Sequence, residues 1–209
     1  MDIYTVNFLK DKRVMANGKN YHHGNLKEAL INAGLSILTE QGLAALSLRK
    51  CAEIVGVSPM APKNHFGNMA GLLTAIASHG YGALLEAVRR AMDQAVDRPG
   101  RRDAALTAYV AFARNHPALY ELMFSNRQIN KQDPELQAQL AACFQILSEM
   151  ASGLDWDKAG EPDARLRGQI MFWSLAHGFA QLVLSGKLEK ATTNHLDILE
   201  IAPSFPYRD

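Results

Sequence analysis

The organisation of the chain turns on residues 46–66, Leu46-Ser47-Leu48-Arg49-Lys50-Cys51-Ala52-Glu53-Ile54-Val55-Gly56-Val57-Ser58-Pro59-Met60-Ala61-Pro62-Lys63-Asn64-His65-Phe66. Ser47 is a strong helix N-cap and opens a short helix, Leu48–Val55, with Ala52 and Val55 available for packing. Gly56 accepts the left-handed turn that ends it, and Val57 plugs the core. Ser58 is then expected to cap a second short helix with Pro59 in its first position, where a missing N–H costs nothing. Two short helices crossing steeply about a glycine-containing turn make a helix-turn-helix, and the small Ala52 allows their close approach. Such a corner presents the N-terminal residues of its second helix to a major groove. Helix–glycine–helix corners are also common in proteins that never touch DNA, so the turn alone does not establish DNA binding.

Outward from this stretch the pattern is helical nearly throughout. Upstream, Leu26, Leu30, Ala33 and Ile37 fall on one helix face and Gly42 follows as a stop. Downstream, Asn68 can cap a longer helix over about 69–91 carrying Leu72, Leu73, Ile76, Leu84, Leu85 and Val88. Residues 97–102, Asp-Arg-Pro-Gly-Arg-Arg, read as a loop, with Asp103 capping the helix that bears Leu106, Tyr109, Val110 and Ala113. His116-Pro117 interrupts that helix, and a further one covers about 118–124. Asp133-Pro134 supplies a cap and a first-turn proline for a helix reaching about 154. After Gly160-Glu161-Pro162-Asp163 comes the last major helix, in which Leu166, Ile170, Trp173, His177, Ala180 and Leu184 are in line until Gly186. A short terminal helix is expected over about 194–201, before Pro203 and Pro206. No strand-like alternation of useful length occurs, so the fold class is all-α.

Composition narrows the function. The 209 residues are 48% hydrophobic and 21% charged, the range of an ordinary folded protein rather than a disordered one. The two cysteines, Cys51 and Cys143, lie far apart with no CxxC or Cys/His spacing, so neither a disulfide framework nor structural zinc is expected and a reducing cytoplasm fits. No run approaches the roughly 18 apolar residues of a membrane span, and residues 1–20 lack the parts of a signal peptide. Net charge is only +1, yet residues 1–66 hold 8 Lys/Arg against 5 Asp/Glu while residues 67–209 hold 14 against 16. A basic head on an acidic body is compatible with DNA contact through the head. No Ser/His/Asp set, His-Glu-x-x-His or phosphate loop is present, so no catalytic residue, metal site or cofactor is expected. His22-His23 point apart on a helix and precede the first one.

The stretch 21–73 resembles the N-terminal domain of the tetracycline-repressor-like (TetR) transcription regulators. The resemblance rests on Tyr21-His22-His23-Gly24-Asn25-Leu26, Gly56-Val57-Ser58, Ala61-Pro62, His65-Phe66-Gly67 and Gly71-Leu72-Leu73. In the second half, residues 112–124 and Trp173-Ser174-Leu175-Ala176-His177-Gly178 look like the branch whose ligand domain is named for its Trp, His and Gly. Residues 1–19, mixed in composition, read as a flexible leader, and the resemblance, which covers everything after it, implies a helix-turn-helix DNA-binding domain over 20–67 and a helical ligand-binding and dimerisation domain over 68–209. It also implies a homodimer on a palindromic double-stranded operator, usually as a repressor released by a small molecule. The DNA-contacting positions would be Ser47, Leu48 and Arg49 at the phosphate, helped by the positive end of their helix. Pro59, Met60 and Ala61 would meet thymine methyls, and Lys63, Asn64 and His65 phosphates or base edges. Lys63 and Asn64 stand where that branch usually has an aromatic and an arginine, and Met69 where a lysine is common, so the operator is expected to differ from those of typical relatives.

In the second half an apolar stripe at helical spacing is first of all core, and the Trp173/His177 stripe is expected to face inward with His177 hydrogen-bonded inside the bundle. Helices at about 134–154 and 164–185 are too apolar to face water on more than one side; by resemblance they pair with their dimer mates as a four-helix bundle. A pliable, partly apolar effector site is expected among Tyr109, Phe112, His116, Tyr120, Met123, Phe124, Phe144, Leu147 and Met171. The reading is therefore a cytoplasmic, ligand-responsive regulator and not an enzyme. The alternative is a helix-turn-helix protein that acts through protein partners after losing operator binding.

Overall fold

Why the head folds as it does is visible at its helix ends. A computed structural model describes residues 26–156, 159–188 and 197–207; the expected leader, His22-His23 and the start of the 194–201 helix lie outside them. Helix α1 (Leu26–Gln41) buries Leu30, Ala33, Ile37 and Leu38 and stops at Gly42, whose φ of 79° suits glycine. One 3₁₀ turn (Leu43–Ala45) leads to α2 (Leu48–Val55), where the Ser47 hydroxyl accepts the Lys50 N–H at 3.2 Å. Gly56 ends α2 at φ 74°, its N–H bonding the Glu53 carbonyl while the Val57 N–H bonds that of Ala52 at 3.0 Å. Those two bonds satisfy carbonyls that the last turn would otherwise leave bare.

The next helix begins later than its sequence implies. Ser58 and Pro59 do not cap and open it; α3 is Ala61–Phe66, entered from Met60. The cause is Pro62, which has no N–H to give to the Ser58 carbonyl. The Ala61 N–H bonds that carbonyl instead, at 3.0 Å, and Asn64 makes the first i→i−4 bond, to Met60. Pro62 itself is buried.

Helix α4 (Met69–Asp93) follows after a sharp corner. Gly67 takes φ 71°, the Asn68 N–H bonds the Phe66 carbonyl at 2.8 Å, and the Asn68 side chain caps the Gly71 N–H at 3.0 Å. A β-carbon on Gly71 would stand 1.9 Å from the Phe66 carbonyl oxygen, so only glycine fits there. On the other side of the head, a β-carbon on Gly34 would meet the Ile76 side chain at 2.7 Å. Cys51, Leu72, Leu73 and Ile76 close the head's core around these contacts.

Beyond the head, α4 packs on α5 (Arg98–Asn115), α6 (Pro117–Ser125) and α7 (Pro134–Ala151), with α8 (Ala164–Leu184) against α5 and α7 and a single-turn α9 (Ile198–Ile201) on α5. The expected loop at 97–102 is instead the first turn of α5. Asp97 caps it by accepting the Gly100 N–H at 2.8 Å, and Pro99 lies in the turn where its missing N–H is harmless. Asp103, expected as the cap, binds the buried Arg102. Helix α7 is capped by Asp133 as its sequence implies but ends at Ala151, because Gly153 turns the chain at φ 67°. The segment beyond α9 returns to this point, where Tyr207 donates to the Met150 carbonyl at 3.1 Å.

Gly71→Ala should destabilise the fold by about 1–3 kcal/mol, the range for forcing an extra methyl into a packed site. Urea unfolding followed by circular dichroism checks this against Gly160→Ala, whose new methyl meets nothing within 4 Å. Equal midpoints for the two variants would mean that the α3–α4 corner yields freely.

Candidate DNA-facing surface, ligand cavity and exposed helix face

Every expected DNA contact lies on the two helices of the corner, on the turn between them or, for Ser47, at the cap of the first. Arg49 extends from the first turn of α2 into solvent, tethered by its own Glu53 through a 2.9 Å bond one helical turn away. Ser47 is exposed but its hydroxyl is engaged as the cap, and Leu48 is half-buried against the core. Pro59, Lys63, Asn64 and His65 are exposed around the start and outer side of α3, and Met60 is 56% exposed. Ala61 is half-buried, so its methyl is the least available of the set. The late start of α3 puts Pro59 and Met60 in the turn before the helix rather than in its first turn.

Inside the larger part of the fold, α4 to α8 enclose a cavity of about 660 Å³, within the roughly 300–1,000 Å³ of small-molecule sites. Of the expected lining, Tyr109, Met123, Phe124, Phe144 and Leu147 are on its wall; Phe112, His116, Tyr120 and Met171 are not. Phe112 is buried with its ring 4.9 Å from that of His116, and Tyr120 is fully buried in packing. On α8 it is Phe172, Trp173 and Ala176 that reach the wall, beside Tyr81, Leu84, Leu85 and Val88 of α4. These α4 residues have the same spacing as core residues, so periodicity alone does not single them out. The rest of the wall is the α6–α7 connection, from which Asn126, Arg127, Ile129 and Lys131 contribute. A loop has no period to read, and only its charge and position could have marked it.

At one side of the cavity three polar groups bind one another. Tyr120 lies 2.7 Å and Tyr109 3.1 Å from His177 Nδ1, and the two hydroxyls are 3.1 Å apart. The cluster is satisfied when Tyr120 donates to a neutral imidazole and Tyr109 donates to Tyr120. Burial supports that assignment: it holds His177 below the usual histidine value and pushes Tyr120 up to about 12. Tyr109 is also raised, first by burial and then by Tyr120. The inward hydrogen-bonded role expected of His177 is therefore present in the fold.

The first three residues of its stripe face the other way. Leu166 and Ile170 are each 49% exposed and Trp173 39%, while the buried side of α8 is Gly168, Phe172, Ala176, Phe179 and Ala180. Gly168 comes close enough to α7 that an added β-carbon would meet the Ala151 methyl at 2.9 Å. Helix α8 is apolar on both sides, so its stripe could not say which side meets the core. Phe144 of α7 stands edge-on to Trp173, ring centres 5.7 Å apart, and extends this exposed apolar face. Gly178 is exposed on the same helix, and a β-carbon added there would meet nothing within 4 Å.

Among the described residues no group of His, Cys, Asp and Glu could hold a metal ion, and no helix is long and apolar enough to cross a membrane. The half-buried His177 yields a pH dependence. Because its folded value lies below its unfolded one of about 6.5, the native state holds fewer protons. The stability this contributes is complete above that unfolded value and is lost as pH falls through the folded one. His79 and His116 are lowered by the same cause and add to the slope. The urea midpoint should fall between pH 7 and 5, and His177→Gln, which keeps an acceptor but cannot titrate, should flatten part of the fall. An unchanged slope in that variant would assign the whole effect to the other two.

Known proteins share both halves of this arrangement. Residues 102–202 match the family model described as Tetracyclin repressor-like, C-terminal domain, a description that names no branch within the family. An uncharacterised HTH-type transcriptional regulator of Mycobacterium tuberculosis (strain ATCC 25618 / H37Rv) is 24% identical over 173 residues, 80% of this chain and 74% of the relative. A protein of unknown function from Rhodococcus sp. RHA1 has a solved structure similar to this one, with a TM-score of 0.70 and 29% identity over 88% of this chain and 93% of that one. A TetR family transcription regulator from Marinobacter aquaeolei VT8 shares the fold at a TM-score of 0.59 and 14% identity, over 85% of this chain and 91% of its own.

Proposed function

We infer that this chain, which belongs to the tetracycline-repressor-like family of transcription regulators, is a DNA-binding regulator whose hold on its operator is set by a small molecule in the α4–α8 cavity, and that it acts as a repressor released by that molecule. Its family makes it a regulator and not an enzyme. The finer reading is carried by one observation: α4 begins at the corner that fixes α3, and its later turns form part of the cavity wall. The α6–α7 connection touches the same helix nearer the DNA-facing end, where the Asn130 N–H donates to Thr74 at 2.9 Å. A ligand that favours one position of α4 over another must then change DNA affinity by the same factor as DNA changes its own.

In this reading residues 20–67 grip DNA and residues 68–209 sense and dimerise, in the cytoplasm. Ser47, Leu48 and Arg49 meet the backbone, and Pro59 to His65 enter the groove. The exposed apolar face of α7 and α8, from Phe144 through Leu166, Ile170 and Trp173, is the dimer surface. Open space beside Gly178 allows a partner helix to approach closely there. Two heads spaced by that interface would read two half-sites.

Fluorescence anisotropy with duplex DNA from upstream of the chain's own gene, against a scrambled duplex at several salt concentrations, tests the first part. Selective binding with log affinity falling linearly in log salt is the expected result. Combined Lys63→Ala and Asn64→Ala should weaken binding by about tenfold or more and reduce the salt slope by about 1, with the oligomeric state intact. Unchanged affinity would remove α3 from the groove. Sedimentation velocity tests the interface: Ile170→Glu should raise the dimer dissociation constant at least about tenfold without loss of helical signal, as expected for a charge placed in an apolar interface.

A further inference from the structure

The cavity wall is sorted by chemistry, and the sorting bears on what the proposed effector site takes. From the helices it receives aliphatic and aromatic groups together with Ser125 at the end of α6, and the tyrosine hydroxyls among them are already engaged. The Tyr81 hydroxyl donates to the Met123 carbonyl at 3.1 Å, and that of Tyr109 belongs to the cluster with Tyr120 and His177. Cys143 stays a protonated thiol, its value pushed up to about 11 by burial. All the charge on the wall comes from one segment, the α6–α7 connection, as Arg127 and Lys131. Among the described residues no carboxylate lines the cavity.

Both cations are exposed as well as part of the wall, so the cavity reaches the surface beside them. Neither head group has an ion pair or hydrogen bond among the described residues. The acids at the start of α7 are held elsewhere: Asp133 caps the Leu136 N–H at 3.0 Å and Glu135 pairs with Lys27 at 2.7 Å. The other place where wall residues are exposed, at Phe144 and Trp173, is apolar and lies on the face proposed for the dimer. One apolar chamber thus has one polar end, and that end carries two unopposed positive charges.

The geometry points to an apolar monocarboxylate as the effector, its hydrocarbon body among the α4, α7 and α8 side chains and its carboxylate at Arg127 and Lys131. This rests on the cavity being the effector site. Burial of the body supplies affinity whatever the head group, while charge-assisted hydrogen bonds at the mouth select the acid. A neutral alcohol of equal length keeps the first contribution and loses the second. An amine loses it and is repelled. The acid end would lie on the segment whose Asn130 binds Thr74 of α4, so the group being recognised contacts the connection to the DNA-facing head.

Calorimetric titration of the full-length protein with dodecanoate, dodecanol and dodecylammonium tests this directly. Dodecanoate should bind about tenfold or more tightly than dodecanol, and dodecylammonium most weakly. Combined Arg127→Gln and Lys131→Gln should erase the preference for the acid and leave dodecanol affinity unchanged. Raising salt should weaken dodecanoate alone, because the cations are at the surface. Equal binding of acid and alcohol, or a preference that survives the double substitution, overturns the carboxylate assignment while the cavity reading stands. No heat from any of the three, repeated with eight- and sixteen-carbon chains, overturns the cavity reading and this inference together.

Discussion

The carbonyl oxygen of Phe66 occupies the place where residue 71 would carry a β-carbon. That contact locks the end of α3 onto the first turn of α4, and the remaining geometry follows from it. Asn68 can then cap Gly71, Leu72 and Leu73 fall into the core of the head, and α4 leaves at a fixed angle towards α5 and α7. A rigid corner matters because α4 is 25 residues long. Any rotation at its far end is carried to α3 as a displacement, provided that the junction itself does not give.

The far end is built differently. There α4 shares its contacts with a cavity wall whose side chains are held apart by the crossing of five helices rather than interdigitated. Close approach is concentrated at small residues: Gly80 against Met123 and Leu119, and Gly168 against Ala151. Pinning helices at these points leaves space between them elsewhere. The Tyr109–Tyr120–His177 cluster spans α5, α6 and α8, and each of its three polar groups is within bonding distance of the other two. Removing any one would leave the other two bonded to each other but would cost each of them one of its contacts in a low-dielectric site. The cluster therefore holds the register of those helices beside a region that packing alone specifies less tightly.

Helix α8 serves two surfaces at once. Its buried side closes the cavity, while Leu166, Ile170 and Trp173 face outward. Trp173 belongs to both, lining the cavity and standing against Phe144 on the exposed face. A molecule in the cavity and a second subunit on the face would press on the same residue from opposite sides. Occupancy of one surface would thus bear on the geometry of the other.

Local chemistry is legible in the sequence by itself. The Ser47, Asn68 and Asp133 caps, the left-handed turn at Gly56 and the stop at Gly42 follow from which residues satisfy bare N–H groups or tolerate positive φ. So does the helical periodicity of each long element, and with it the all-α class. Proline at a helix start is less decisive: Pro59 reads as opening α3 where Pro62 delays it, and Pro99 as loop where Asp97 caps a helix around it. Tertiary structure alone decides which side of an element faces inward. The 166/170/173 stripe and its neighbour at 168/172/176 are both apolar at helical spacing, and only the position of α7 makes one of them core. The same holds for the cavity. Tyr109 and Phe124 line it while Phe112 and Tyr120, one turn away, do not, because lining is a relation among five helices and a loop. Arg127 and Lys131 acquire meaning only when folding brings them to its edge, since a charge in a connecting segment carries no period and has no partner within its own stretch of chain.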